Sequence, residues 1–343
     1  MKRPLLWLVS IVCCWSAVAC SETGDPLAVD QPAPDYCPDK APLGYQMSGD
    51  CCARVSNADR LDHPQFRVAG ISVNRPAILD DDFIANIIQA FLDQETFNWI
   101  IDVQNAAADG PIDIRTGFGI RDVQDNTFSF DTTNPDLAPA PLAAELGENE
   151  VSSESFNQTL LLPILDKDVT PGQTIDPSAV LPVDQLKLIN VPFSDDRTCI
   201  GIRNRDLNVY ETKIIVDQSL DTETRLEASE FPVPPGEVEA YVKVDAADDV
   251  FVADLNDKLC DIIACELRST CSDPVDYCGE VARSEWNNPP DSLCDSNGCQ
   301  RNDSEGDDVN GNGNMDQVCD PATECNAWYL NLYFVAQGVE ITN

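Results

Sequence analysis

The stretch AWYLNLYFVAQGVEIT, residues Ala327 to Thr342, decides how the rest of the chain is read. It follows a long segment poor in hydrophobic residues, and its own apolar content marks it as a strand or hairpin. A strand cannot remain alone in water with an apolar face exposed. It must therefore pair back into a sheet built earlier in the chain. The Cys-bearing segment 268–326 then becomes an insertion rather than a tail.

Working outward from there, other strands are expected. Glu237 to Asp245, EVEAYVKVD, alternates apolar and polar residues and faces a core on one side. Phe66–Val73, Asn98–Val103, Thr127–Phe130, Thr159–Leu165, Leu186–Val191, Cys199–Arg203 and Val209–Val216 read as further strands. So does Ile112–Ile120, with Ile112, Ile114, Thr116, Phe118 and Ile120 on one face. Gly117 and Gly119 between them predict a bulge or a close approach.

Two helices complete the expectation. Phe83, Ile84, Ile87, Ile88, Phe91 and Leu92 form one apolar stripe behind the acids Asp80, Asp81 and Asp82, which suit a helix N-terminus. Val252, Leu255, Leu259, Ile262, Ile263 and Leu267 form another, entered through Asp248 and Asp249. The fold class is α+β and β-rich: an antiparallel sheet or sandwich with two amphipathic helices and a disulfide-rich irregular insertion. Residues 36–267 form the main domain. The Pro- and Ala-rich stretch 131–158 reads as a subdomain break or a surface excursion. Residues 327–343 return to the main domain.

The chain has 343 residues, with 60 acids against 21 bases and a net charge of −39. Such a surface repels phosphate backbones and excludes nucleic-acid binding. Residues 1–19 read as a signal peptide, with Lys2 and Arg3 before the apolar run Leu5–Val12. Ala17-Val18-Ala19 suits ordinary signal peptidase, and the same residues before Cys20 resemble a bacterial lipobox. Cysteine parity separates the two. Of fifteen cysteines, Cys13 and Cys14 leave with the leader. If Cys20 is the lipidation site, an even twelve remain. Residues 20–35 are then the lipidated cysteine and a flexible tether, and Ser21 after it resembles lipoproteins sent to the outer membrane.

The twelve are Cys37, Cys51, Cys52, Cys199, Cys260, Cys265, Cys271, Cys278, Cys294, Cys299, Cys319 and Cys325. In an exported chain they are expected to form disulfides. None is spaced Cys-x-x-Cys, and His63 is the sole histidine, so zinc and thioredoxin-type chemistry have little to stand on.

The insertion carries DVNGNGNMDQVCD, residues Asp308 to Asp320. Calcium takes oxygens from alternate positions around a sharp turn. Asp308, Asn310, Asn312, Asn314 and Asp316 fall on those positions around Gly313, with Asp320 one residue beyond the usual closing acid, where Cys319 stands. No helical pattern flanks the loop. It is similar to the acidic calcium loops of thrombospondin type 3 repeats, which implies Ca2+ as the cofactor. Asn in place of Asp implies a weak site, on the order of 0.1–1 mM. The rival reading is an Asn-Gly turn with solvated acids.

No catalytic constellation stands out. His63, in LDHPQF, reads as a turn residue, and no G-x-S-x-G elbow is present. Trp99, Trp286 and Trp328 suit a sugar or peptide site or core packing. The chain resembles the acidic, Cys-rich lipoproteins of myxobacteria and other deltaproteobacteria. That resemblance implies an envelope location without implying an activity. The expected partners are the membrane, through the N-terminal lipid, and an envelope protein or glycan. The expected role is non-catalytic binding or structure. The alternative is an exported hydrolase using an Asp/Glu pair on polysaccharide or peptide.

Overall fold

The computed structural model describes strands 46–48 and 51–53 and residues 55–80, 87–165, 177–201, 237–252, 256–265, 277–302 and 317–342, apart from a few positions within those spans. Among the described residues, eighteen strands follow in chain order. β1 (Gln46–Ser48) and β2 (Cys51–Ala53) pair with each other. Then come β3 (Gln65–Arg75), β4 (Trp99–Gln104), β5 (Gly110–Asp122), β6 (Thr127–Phe130), β7 (Ala140–Gly147), β8 (Glu150–Ser153) and β9 (Thr159–Ile164). β10 (Ala179–Ile189), β11 (Val191–Pro192), β12 (Cys199–Ile200) and β13 (Glu237–Lys243) follow. β14 (Phe251–Val252) and β15 (Asp257–Lys258) form a small hairpin. β16 (Ser292–Asp295), β17 (Gly298–Arg301) and β18 (Ala327–Gly338) complete the set.

The chain is strand-rich, and its main sheet is antiparallel throughout its path β11-β8-β7-β5-β4-β3-β18-β13-β10-β9. β18 is central. It pairs with β13 from Ala327 to Tyr333 and with β3 from Asn331 to Gly338. Its even residues Trp328, Leu330, Leu332 and Phe334 enter the core.

The path curls on itself. Only Asn190, at φ 47°, separates β10 from β11, yet β11 pairs with β8 at the other end of the path. The two ends are tied by Leu188 N donating to Ser153 Oγ and Asn190 N donating to Ser152 Oγ. Closure of this kind hides backbone donors and acceptors that an open edge would leave exposed. One apolar cluster fills the inside, with Phe66, Ile114, Leu146, Leu188, Val238 and Phe334 drawn from six strands. A second, Ile100, Phe128, Phe130, Val339 and Ile341, lies under β6.

Two local expectations are revised, and a third is met over the residues described. Residues 140–153, read as a linker or surface excursion, form the hairpin β7–β8 against β5. Its buried positions Ala140, Leu142 and Leu146 are separated by Pro, Ala and Glu, so composition obscured a period of two. The stripe from Val252 to Leu267 is not one helix. Asn256 at φ 50° turns the chain between β14 and β15, and the helix starts at Leu259 and runs to Cys265. Asp248 ends a separate short helix, Val244–Asp248, and pairs with Lys258 at 2.8 Å. Of the stripe at Phe83–Leu92, residues 87, 88 and 90–92 are helical, with Leu92 buried and Ile88 and Phe91 packed against the core; 81–86 lie outside the described residues.

The close approach expected near Gly117 and Gly119 is present. A Cβ at Gly119 would stand 2.7 Å from Ile100 Cγ2. No described helix is long and apolar enough to cross a membrane.

Candidate functional site

The lipidation candidate Cys20, the expected strand Val209–Val216, and Asp308, Asn310, Asn312, Asn314 and Asp316 all lie outside the described residues, as do Cys37 and Cys271. The two ends of the candidate calcium loop are described. Asn302 Oδ1 accepts from Val318 N at 2.7 Å and Cys319 N at 2.9 Å, and its amide donates to Cys319 O at 3.0 Å. One side chain thus ties both ends of segment 303–316, and the Cys319–Cys325 disulfide braces the exit.

Asp320 has hydrogen-bond partners of its own. Its Oδ1 accepts from Ala322 N and its Oδ2 from Thr323 Oγ1, which caps a tight turn. The oxygen-rich donor set suits a hard cation, and each Asp320 oxygen keeps a lone pair beside the hydrogen bond it accepts.

Three disulfides are described: Cys260–Cys278, Cys294–Cys299 and Cys319–Cys325. Cys199 and Cys265 are disulfide-bonded as well. Asp248, Cys260 and Cys278 bring ligand-type atoms within 4.8 Å of one another. They make a poor metal site, because the two sulfurs are joined to each other and carry no thiolate charge.

Among the described residues, an extended polar row lies on the side of the sheet away from the main core, over β10, β13 and β18. The odd residues of β13 and β18 meet there. Tyr241 pairs with Tyr329, Glu239 with Asn331 and Glu237 with Tyr333. The Tyr329 hydroxyl donates to Glu239 Oε1 at 2.5 Å, and the Asn331 amide donates to Glu237 Oε2 at 3.1 Å. Asn74 from β3 extends the row by donating to Asn331 Oδ1 at 2.9 Å. The rings of Tyr241 and Tyr329 meet edge to face, 5.7 Å between centroids.

The hairpin β16–β17 leans on one end of this surface. Cys299 N donates to Gln185 Oε1, and the Arg301 guanidinium sits 4.0 Å over the Tyr329 ring. Asp291, just before the hairpin, accepts from Tyr329 N at 2.8 Å and from Ser292 Oγ.

Burial dominates the titration of this region. It raises the Asp291 carboxyl above the usual carboxylate value, against hydrogen bonds from Tyr329 N and Ser292 that favour the anion. Burial and then Glu239 push the Tyr241 phenol up to about 12. The Tyr329 phenol is raised further by burial and by its bond to Glu239, and Tyr333 is raised by burial and Glu237.

A second polar centre sits across β3, β4 and β5. Asp102 is fully buried, and its Oδ1 accepts from His63 Nε2 at 2.5 Å and Gln65 Nε2 at 3.3 Å. Its Oδ2 accepts from Arg115 Nε at 3.0 Å and is also paired with Arg115 Nη2. Arg60 braces the same corner through Gln65 Oε1, Asn57 Oδ1 and the Val339 carbonyl. Burial lowers the Arg60 guanidinium, while Glu340 and Asp102 oppose the shift.

His63 does lie in a turn, its N–H donating to Arg60 O, but it is more than a turn residue. Its partner is 39 residues away, so only the strand register reveals it. The tryptophans serve the core. Trp99, Trp286 and Trp328 are buried, and Trp286 stacks on Trp328 at 6.0 Å. No family model, curated protein or solved structure matches the chain.

Proposed function

We propose that the chain is an exported, lipid-anchored protein of the cell envelope with a non-catalytic binding role, attached at Cys20 and presenting its curled sheet beyond a short tether. The observation that carries this reading is the set of disulfides that staple a region poor in core residues. Cys294–Cys299 closes the β16–β17 hairpin, and Cys319–Cys325 closes the turn that leads into β18. Such bonds persist in oxidising compartments. The lipobox-like AVAC before Ser21 supports an outer-membrane destination. Calcium, bound by Asp308, Asn310, Asn312, Asn314, Asp316 and Asp320, would act as a further staple in the same region. The clamp made by Asn302 supports this reading, because ends already fixed reduce the ordering cost of closing a loop on an ion.

Globomycin, which blocks lipoprotein signal peptidase, tests the anchor. A lipidated precursor should accumulate, and Cys20→Ala should release the mature chain from membranes. Unaltered processing in globomycin would remove the anchor from the proposal.

One observation favours the hydrolase alternative. Glu239 and Asp291 engage opposite ends of Tyr329, and burial raises the Asp291 carboxyl above the usual carboxylate value. Two carboxyls in unlike surroundings flanking a bound sugar is the arrangement of glycoside hydrolysis. Turnover of a polysaccharide that is abolished by both Glu239→Gln and Asp291→Asn would replace the binding role with catalysis.

A further inference from the structure

The geometry points to the β13–β18 face as a binding site for a neutral oligosaccharide, through Tyr333, Tyr241, Glu237, Glu239 and Asn331. This deepens the binding role proposed above and rests on it. The argument begins with what these side chains leave unused. Tyr241 and Tyr333 are half-buried, and neither hydroxyl has a hydrogen-bond partner among the described residues. Burial and the neighbouring glutamates hold both phenols protonated, so each keeps a donor to offer. Glu237 uses Oε2 on Asn331, which leaves its Oε1 for another donor, whereas Glu239 uses Oε1 on Tyr329 and has its Oε2 at 4.0 Å from Lys187.

A pyranose matches this set in both of its aspects. Its C–H face packs on an aromatic ring, and its equatorial hydroxyls donate to carboxylates and accept from phenol and amide N–H groups. The donors and acceptors are fixed beforehand. Asn331 is held between Glu237 and Asn74, and Glu239 between Tyr329 and Lys187. Binding would therefore order few side chains.

Charge selects the neutral class. The chain carries 60 acids to 21 bases, but here Lys187 lies 4.0 Å from Glu239, Lys243 lies 3.2 Å from Asp184, and Arg301 lies over Tyr329. Three bases thus stand beside the four acids Glu237, Glu239, Asp184 and Asp291, a far more even ratio than that of the whole chain. Polyanions are repelled by the body, and a polycation would meet stronger attraction elsewhere on the surface.

The mature full-length chain should be titrated calorimetrically with cellohexaose, maltohexaose, xylohexaose and mannohexaose, and with hexagalacturonate as the anionic control. At least one neutral hexamer should bind, and hexagalacturonate should not. Tyr333→Ala and Glu237→Gln should each weaken that binding by about tenfold or more. Glu145→Gln, an exposed change on β7, should leave it unaltered. Near-ultraviolet circular dichroism confirms the fold of each variant, and Glu237→Gln keeps the test intact should Tyr333→Ala unfold. Binding of none of the neutral hexamers, preference for hexagalacturonate, or unchanged affinity in Glu237→Gln would overturn the assignment. Any of these with globomycin-sensitive processing retained would leave the anchored-envelope reading standing without this ligand.

Discussion

Replacing Asp102 with Asn tests whether the His63–Asp102–Arg115 centre holds β3, β4 and β5 together. The change is nearly isosteric but turns one acceptor oxygen into a donor. In the native arrangement Oδ1 faces His63 Nε2 and Gln65 Nε2, and Oδ2 faces Arg115. Either amide orientation sets N–H against N–H on one side. One set of charge-assisted bonds is lost, worth about 1.5–3 kcal/mol. Breaking a fully buried ion pair costs about 3–5 kcal/mol. That figure is an upper limit here, because the Arg115 and His63 side chains are 34% and 40% exposed and can regain water. The expected loss is therefore about 2–3 kcal/mol. Urea unfolding with disulfides intact, followed by tryptophan fluorescence, measures it, since Trp99 is buried on the same strand as Asp102. His63→Ala alone should cost about 1 kcal/mol, and the double variant should cost less than the sum of the two. A loss below about 0.5 kcal/mol, or strict additivity with His63→Ala, would refute the idea that this carboxylate is a shared tie point.

Three further outcomes are expected. Burial raises Asp291 above its ordinary value of 3.8, so its protonated form is favoured in the fold; that contribution is complete below 3.8 and is lost as pH rises through the higher native value. Asp291→Asn should accordingly gain stability relative to the parent between acid and neutral pH, as read by urea midpoints across that range, and a constant difference would contradict it. Gly201→Ala should be severely destabilising, by about 3 kcal/mol or more, because φ is +97° and the new Cβ would lie 2.1 Å from the Phe334 carbonyl oxygen; thermal unfolding measures this, and a near-parental midpoint would mean the backbone yields there at little cost. Calcium chelation should raise hydrogen exchange across residues 295–325 and leave β3, β13 and β18 protected, and identical exchange with and without calcium would leave only an Asn-Gly turn.

The antiparallel, strand-rich character was legible because alternation is a local signal. Val238, Ala240 and Val242 are buried, and Glu237, Glu239, Tyr241 and Lys243 are partly exposed, as the sequence of β13 implies. Hairpin β7–β8 was not legible, since Ala and Pro at its positions give weak hydrophobic contrast although its register against β5 is regular. The helix at Leu259 was over-extended because residues 252 and 255 happen to continue its period while Asn256 turns the chain. The polar face was only half visible. Alternation places Glu239 and Tyr329 outside the core, but their bond depends on a register set between strands 90 residues apart. The same holds for His63, whose surroundings in LDHPQF give no hint of Asp102.

The position of β18 has a consequence for the making of the protein. β3 and β13 are both partners of a strand that leaves the ribosome after either of them. Until residues 327–338 emerge, the sheet exists as two incomplete pieces with open edges, and neither can seal the interior. Contacts of such long sequence separation form slowly. Synthesis and folding are thereby separated in time. A chain that must be threaded through a membrane while unfolded gains from that delay, whereas a nascent chain arrested before Ala327 would present sticky edges and become a substrate for proteolysis.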